Sequence, residues 1–252
     1  MKNIITAQNI IKKFGVGDEE QVVLRDISLT IQAGEFVAIM GPSGSGKSTL
    51  MHALSGMDKV TEGQVTFDGK VLALLKENEL ADLRRNKMGF IFQQPTLLKN
   101  INVLDNIILP AMRDKRKHRS TIIKKAQELM ERTGISGLEK RDITQMSGGQ
   151  LQRAGICRAL LSNPKVIFGD EPTGALNSKS AKEIMNIITQ INQNGTTVML
   201  VTHDAQVAAK TERILFMRDG QIATEMTLPR YNGQDLHERI DKVTAIMKEL
   251  GI

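Results

Sequence analysis

The chain has 252 residues, a formal net charge of +6, 3% aromatic residues and no tryptophan. That length allows one large α/β domain or two small lobes around one active site, and the scarcity of aromatics leaves little from which to build a base-stacking platform for nucleic acid. The positive excess fits a mildly basic surface facing phosphates, on nucleotides or on anionic lipid head groups.

The single cysteine, Cys157, excludes an internal disulfide and a secreted disulfide scaffold. No signal-peptide pattern opens the chain, and no stretch approaches the ~18 apolar residues of a membrane span. The expectation is that any work at a membrane goes through another chain that crosses it.

In chain order, Ile4 to Ile11, Val22 to Ile31 and Glu35 to Met40 read as β-branched strands broken by turns at Gly15, Gly17 and Gly34. A short strand from Gln64 to Asp68 follows, and Glu77 to Arg85 has helical composition, so a small antiparallel sheet is expected beside the main one. From Leu97 to Asn163 the pattern is helical, with Ile107, Ile108, Ile122, Ile123, Leu129 and Met130 among its apolar positions. Strands resume at Val166 to Gly169, Val198 to Val201, Ile214 to Met217 and Gln221 to Glu225; helical stretches separate the first three, as in a parallel sheet. The tail from Asp235 carries Leu236, Ile240, Val243, Met247 and Leu250 at spacings of three and four, the stripe of an amphipathic helix. It either packs back on its own core or contacts a partner.

Gly41, Pro42, Ser43, Gly44, Ser45, Gly46, Lys47 and Ser48, with Thr49 next, match the pattern G-x-x-x-x-G-K-[S/T] between a strand and a helix. The glycines let backbone N–H groups wrap a β-phosphate, the helix beginning near Lys47 adds its positive end, Lys47 reaches the β- and γ-phosphates, and Ser48 can ligate Mg²⁺. Downstream, Val166 to Gly169 runs into Asp170 and Glu171. Strand alternation would send the two carboxylates to opposite sides, Asp170 toward Mg²⁺ and Glu171 toward the attacking water as general base.

His203, after the strand ending at Val201, is placed to sense the γ-phosphate. Gln93, after the strand-like Gly89 to Phe92, is a further candidate for contacting Mg²⁺ or the attacking water. Ser147, Gly148, Gly149 and Gln150 open a helix that runs through Arg153, Ile156 and Leu160: Ser147 caps it, and the glycines let the backbone approach an anion.

The order of phosphate loop, Gln93, Ser147 to Gln150, Asp170-Glu171 and His203 resembles that of an ABC ATPase domain over roughly residues 4 to 226. The resemblance implies an α/β fold: a P-loop NTPase core with a parallel sheet, a small antiparallel β-subdomain and an inserted helical subdomain at roughly 95–163. The ATPase domain would cover 1–230, and 231–252 would form a C-terminal amphipathic helical extension. It also implies that Phe14 stacks on adenine, that Ser147 to Gln150 is the signature loop, and that Gly174 to Asn177 crosses a dimer interface.

Phe14 stands where the family often has Tyr, Met146 where it has Leu, and Asn177 where it has Asp, the last removing a negative charge from that interface. Met40 to Met51, Gly89 to Gln93 and Gly169 to Leu176 are similar to the branch serving lipoprotein release, macrolide export and peptide-antibiotic resistance. The tail and Ser178 to Ser180 incline toward its bacitracin-type, antimicrobial-peptide-resistance group.

The expected activity is ATP hydrolysis with Mg²⁺, performed by a head-to-tail homodimer on the cytoplasmic face of a membrane. The expected partner is a transmembrane permease, not nucleic acid. Its cytoplasmic helix would seat where Pro95, Leu97, Leu98, Ile101, Val103 and Leu104 crowd apolar side chains after Gln93. The alternative is a soluble ABC ATPase acting on ribosomes or DNA. Relatives of that kind resemble fused cassettes or carry coiled-coil or zinc-bearing insertions, and this chain has one cassette and no heptad run. A nucleotide kinase or small GTPase shares the phosphate loop but leaves Ser147 to Gln150 and His203 unexplained.

Overall fold

The computed structural model describes residues 2–15, 17–113 and 118–251. Residue 16, residues 114–117, which fall within the expected helical stretch, and the chain ends at 1 and 252 lie outside the described residues. In chain order the elements begin with β1 (Asn3–Phe14), β2 (Gln21–Gln32), β3 (Phe36–Met40), α1 (Lys47–Leu54), β4 (Glu62–Phe67), β5 (Lys70–Val71) and α2 (Glu77–Lys87). Next come β6 (Met88–Phe92), α3 (Val103–Met112), α4 (Arg119–Arg132), α5 (Gly148–Leu160), β7 (Val166–Asp170) and α6 (Ser178–Gln193). The last are β8 (Thr197–Val201), α7 (Ala205–Ala208), β9 (Arg213–Arg218), β10 (Gln221–Thr227) and α8 (Leu236–Leu250). Residues 1–80 with 195–252 form one compact unit and 81–194 a second.

In the first unit an antiparallel sheet runs in the order β2-β1-β4-β5. β1 extends past the predicted Ile11 because bulges bend it without ending its pairing. At Asn9 the backbone turns left-handed (φ 47°), held by Asn9 N–H donating to Ser28 Oγ at 2.8 Å and Asn9 Nδ2 donating to Asp26 Oδ1 at 2.9 Å. The same unit carries the strand run β10-β9-β3-β8. β3 is parallel to both neighbours, with Ile39 opposite Val201 and Met40 opposite Phe216. Every residue of β3 and β8 is buried, which is why these strands read as continuous apolar runs and not as alternating ones.

The tail helix α8 packs back on this unit. Val243 is fully buried against Met40, Ala208, Ala209, Ile214, Phe216 and Leu228, and Leu236, Ile240, Met247 and Leu250 flank it. Arg239, only 7% exposed, donates to the carbonyls of Ala209, Pro229 and Thr211 at 2.5, 2.8 and 2.8 Å. Of the two placements open to the tail from its sequence, the structure takes packing on its own core.

The second unit has a helical core in which α3, α4 and α5 bury Val103, Ile107, Ile122, Ala126, Leu129, Met130, Ala154 and Cys157. Met146, which stands where the resemblance expects Leu, is 9% exposed and belongs to the same cluster, a volume-conserving filler. β6 and β7 pair in parallel, and Phe90 stacks on Phe168 across them with centroids 5.5 Å apart.

The segment expected to expose apolar side chains after Gln93 divides. Val103 is core, Leu97 and Leu104 pack against it, and Leu98 remains 49% exposed. Buried Asn106 pins this segment. Its Oδ1 accepts from Leu98 N–H at 2.7 Å, and its Nδ2 lies 3.0–3.1 Å from the carbonyls of Leu98, Ile101 and Asn102. A groove of ≈ 450 Å³ lies nearby, lined by Ile101, Asp105, Ile108, Leu109, Met112 and Arg119.

Candidate functional site

The phosphate loop leaves the C-terminal end of β3 and folds around its own backbone. Gly41 has φ 156°, and a Cβ there would stand 2.3 Å from the Met217 carbonyl oxygen and 2.7 Å from Ser45 Oγ, so no other residue fits. Gly46 caps α1 in the left-handed region at φ 95°, with Val23 and Leu24 close on its open side. Lys47 Nζ donates to the carbonyls of Gly41 at 2.9 Å and Pro42 at 2.7 Å, which curls the side chain over the loop it belongs to.

Ser43 and Gly44 are exposed, and Ser48 and Thr49 lie half-buried in the first turn of α1. The hydroxyl of Ser45 is buried and has no hydrogen-bond partner, a donor held in reserve inside an anion-shaped loop. That orphaned hydroxyl, the N-terminal amides of α1 and the Lys47 ammonium together fit a polyphosphate.

His203 follows Val201, whose register partner Ile39 stands two residues before Gly41. The parallel pairing therefore brings His203 and the phosphate loop to the same edge of the sheet. His203 is exposed on the turn into α7, and that turn is tied by Asp204, whose N–H donates to Thr202 Oγ1 at 3.0 Å and whose carboxylate accepts from Gln206 N–H at 2.7 Å. Phe14, at the end of β1, is 46% exposed. The Lys12 ammonium sits 4.6 Å from its ring centroid and is itself bonded to Asp58 at 2.7 Å. One face of the ring meets a cation, a geometry worth roughly 0.5–1 kcal/mol at such a site.

In the second unit, Phe92 is register partner of Asp170, so the next residues, Gln93 and Glu171, leave the same edge side by side. Asp170 is the last strand residue. Glu171 does not continue the strand alternation expected from the sequence: its φ is 45°, a left-handed conformation that an L-residue with a Cβ adopts at a cost of about 1–2 kcal/mol. Gly174 faces both side chains. A Cβ built on it would stand 2.9 Å from Gln93 Nε2 and 3.2 Å from Glu171 Oε2.

Ser147 caps α5 through a reciprocal pair: its Oγ accepts from Gln150 N–H at 3.3 Å, while Gln150 Oε1 accepts from Ser147 N–H at 2.9 Å. Gly148 and Gly149 lie in the first turn, Gly149 with Ser180 Oγ 3.1 Å from where its Cβ would be. Asn177 caps α6, its Oδ1 accepting from Ser180 N–H at 2.9 Å, so the departure from Asp keeps the cap and omits the charge.

Gln152 escaped the sequence reading. It is 1% exposed, and its amide donates to the carbonyls of Phe92 at 3.0 Å and Pro172 at 2.8 Å. Its signal was a lone polar residue on the buried face that continues through Ile156 and Ala159. Among the described residues no three His, Cys, Asp or Glu side chains gather as a metal cage. Ser48, Asp170 and Gln93, the ligands expected from the sequence, each carry an oxygen donor of the hard kind that Mg²⁺ takes.

A lysine-bearing phosphate loop at the end of a buried parallel strand, with a strand-terminal Asp-Glu pair, defines a P-loop nucleotide hydrolase. The family described as ABC transporter matches residues 24–174. The chain is 45% identical over 222 residues to a probable syringafactin export ATP-binding/permease protein of Pseudomonas syringae pv. syringae, an alignment that covers 88% of this chain and 34% of that protein. The coverage is similar for a macrolide export ATP-binding/permease protein of Pasteurella multocida at 42% identity, so the chain spans 34% of the length of these relatives. An uncharacterized ABC transporter ATP-binding protein of Methanocaldococcus jannaschii is 44% identical over 87% of this chain and 97% of its own.

Among solved structures, the dimeric structure of a bacterial ABC transporter cassette superposes with a TM-score of 0.81 at 38% identity, covering 90% of this chain and all (100%) of the other. The same coverage holds for a dimeric post-hydrolysis cassette bound to ADP and Pi, at a TM-score of 0.80 and 37% identity. The chain belongs to the ABC transporter family and is an ATPase. Among the described residues no helix is long and apolar enough to cross a membrane.

Proposed function

We propose that the chain binds ATP with Mg²⁺ at Gly41 to Thr49 and hydrolyses it as a head-to-tail homodimer, driving a transmembrane permease from the cytoplasmic face of the membrane. The observation that carries this is the presence of two half-sites of opposite kind in one chain. One is a loop built around the Lys47 ammonium, and the other is the capped glycine start of α5, which has no lysine of its own. A two-fold arrangement lets each complete the other.

On this reading Lys47 exchanges the carbonyls of Gly41 and Pro42 for β- and γ-phosphate oxygens, and the amides of Gly44 to Thr49 hold the remaining ones. Phe14 stacks on adenine with the face opposite Lys12. Gln93 orients the attacking water, Glu171 takes its proton, and His203 contacts the γ-phosphate. Ser48, Asp170 and Gln93 hold Mg²⁺, which when bound neutralises charge on the phosphates. Ser147, Gly148, Gly149 and Gln150 of one copy close over the ATP of the other.

The names of the relatives, with the motifs from Met40 to Met51 and Gly169 to Leu176, support export of or resistance to antimicrobial peptides, or lipoprotein or macrolide handling, as the work performed. The segment after Gln93, where Leu98 is exposed and Ile101 lines a groove, is the proposed seat of the permease helix.

The test is Glu171→Gln, which keeps the side chain's shape and removes its basicity. Turnover is expected to fall on the order of 10²-fold or more, with ATP binding kept and an ATP-dependent dimer accumulating. A variant that stays monomeric with ATP and Mg²⁺ even beside its permease removes the composite site.

A further inference from the structure

We infer that Gln152 is the positioning residue that sets the spacing of Gln93 and Glu171, and that through it the start of α5 governs the hydrolytic pair of its own chain. The inference rests on the roles proposed above for Gln93, Glu171 and the Ser147 to Gln150 turn. A single buried amide donates both of its hydrogens, one to the carbonyl of Phe92 immediately before Gln93 and one to the carbonyl of Pro172 immediately after Glu171. β6 ends at Phe92 and β7 at Asp170, so Gln93 and Glu171 themselves lie one residue beyond the strands. The left-handed φ of 45° at Glu171 persists only where the surroundings over-determine it; the Glu171 carbonyl accepts from Gly174 N–H at 3.0 Å, and Gln152 adds a bond to the next carbonyl.

α5 grips the same segment along successive turns. A Cβ on Gly155 would meet Pro95 at 3.7 Å, and Arg158 donates to the carbonyl oxygen and hydroxyl of Thr96 at 2.7 and 3.1 Å. A Cβ on Gly89 of β6 would lie 2.8 Å from the Ala159 carbonyl, so helix and strand touch backbone to backbone. α5 therefore packs along the Gln93 segment, and from the same helix Gln152 also reaches the Pro172 carbonyl beside Glu171, while Arg153 pairs with Glu183 at 2.7 Å. In a head-to-tail dimer the N-terminus of α5 senses one ATP while Gln93 and Glu171 act on the other. Gln152 then links the two sites of the dimer.

The experiment compares Gln152→Met, which keeps length and loses both donors, with wild type in the full chain. Phosphate release and ATP binding are measured against ATP concentration. Turnover is expected to fall about tenfold, the effect of displacing a reacting group by a fraction of an ångström, with ATP affinity within about twofold and the Hill coefficient moved toward one. If the Met variant fails to fold, isosteric Gln152→Glu replaces it and is expected to show the same split, because a carboxyl buried against two carbonyls is held protonated and its single O–H can bond only one of them. Turnover within twofold of wild type, or an equal loss of affinity and turnover, overturns the inference. Glu171→Gln run in parallel separates the two levels: a variant that keeps turning over removes the assignment of the hydrolytic pair itself. A silent Gln152 beside an inactive Glu171→Gln removes only the link.

Discussion

Gly174→Ala tests the hydrolytic pair with one methyl group. Gly174 is not among the residues with positive φ, so alanine adopts its backbone without strain. The added Cβ would stand 2.9 Å from Gln93 Nε2 and 3.2 Å from Glu171 Oε2. Ordinary contact between such atoms begins near ~3.5 Å, so the amide must retreat by about 0.6 Å and the carboxylate by about 0.3 Å. Both are ends of flexible side chains, and the fold can give way there cheaply. The lower entropy of the unfolded alanine chain offsets part of the cost, leaving stability within about 1 kcal/mol of wild type.

Catalytic geometry is less forgiving, since constellations tolerate displacements of about 0.5 Å and a misplacement of about 1 Å costs on the order of 10²-fold. A fall in turnover of about tenfold, or ~1.4 kcal/mol in the barrier, is expected with ATP affinity unchanged. Phosphate release at saturating ATP, an equilibrium ATP titration and a thermal melt read the three quantities. A variant with wild-type melting and turnover within twofold refutes the placement of Gln93 and Glu171 about this glycine as a condition for hydrolysis.

Removal of the tail from Asp235 onward is expected to lower the denaturation midpoint of the chain, since burial of Val243 alone stabilises by roughly 1.5–3 kcal/mol; a truncated chain as stable as the full one would detach the tail from its core. Within the tail, Arg239→Ala leaves the carbonyls of Ala209, Pro229 and Thr211 without their donor and is expected to cost about 3 kcal/mol in denaturant titrations, with Arg239→Lys recovering only part. Burial pushes the Cys157 thiol up from 9.0 to about 11, partly opposed by its contact with Thr133, so its contribution to stability is complete below pH ~9 and is lost as pH rises toward ~11. That loss amounts to roughly 3 kcal/mol, and denaturant midpoints across this range should lose the corresponding slope in Cys157→Ala.

The parts of the fold visible in the sequence are those where one local rule decides. β3 and β8, buried on both faces, show as unbroken apolar runs, and the loop at Gly41 shows because Gly41 and Gly46 occupy places where a Cβ would press on Met217 or Val23. The two-residue strand β5 is too short to carry a periodicity, and its pairing is set by the turn at Asp68 and Gly69, both with positive φ. Leu97 and Leu98 look alike in sequence; which one packs inward depends on the path that Asn106 imposes between the end of β6 and α3. The amphipathic tail predicted its own helix but not its partner, because Phe216 and Leu228 become neighbours of Val243 only once β9 is in place.

The site shows the same division, and strand register explains it. Gln93 and Glu171 are far apart in the chain and become adjacent because Met88 pairs with Val166 and the pairing continues in step to Phe92 and Asp170. A slip of one residue would turn Phe90 away from Phe168 and carry Gln93 past the end of β7, so the stacked rings at this register also align the two residues proposed for hydrolysis. The side chains proposed for chemistry stand out as motifs because their types are restricted by reaction. Gln152 bonds two backbone carbonyls, of Phe92 and Pro172, and a backbone carbonyl has no letter in a sequence. Groups that position others through the main chain thus become visible only once the fold has brought those carbonyls together.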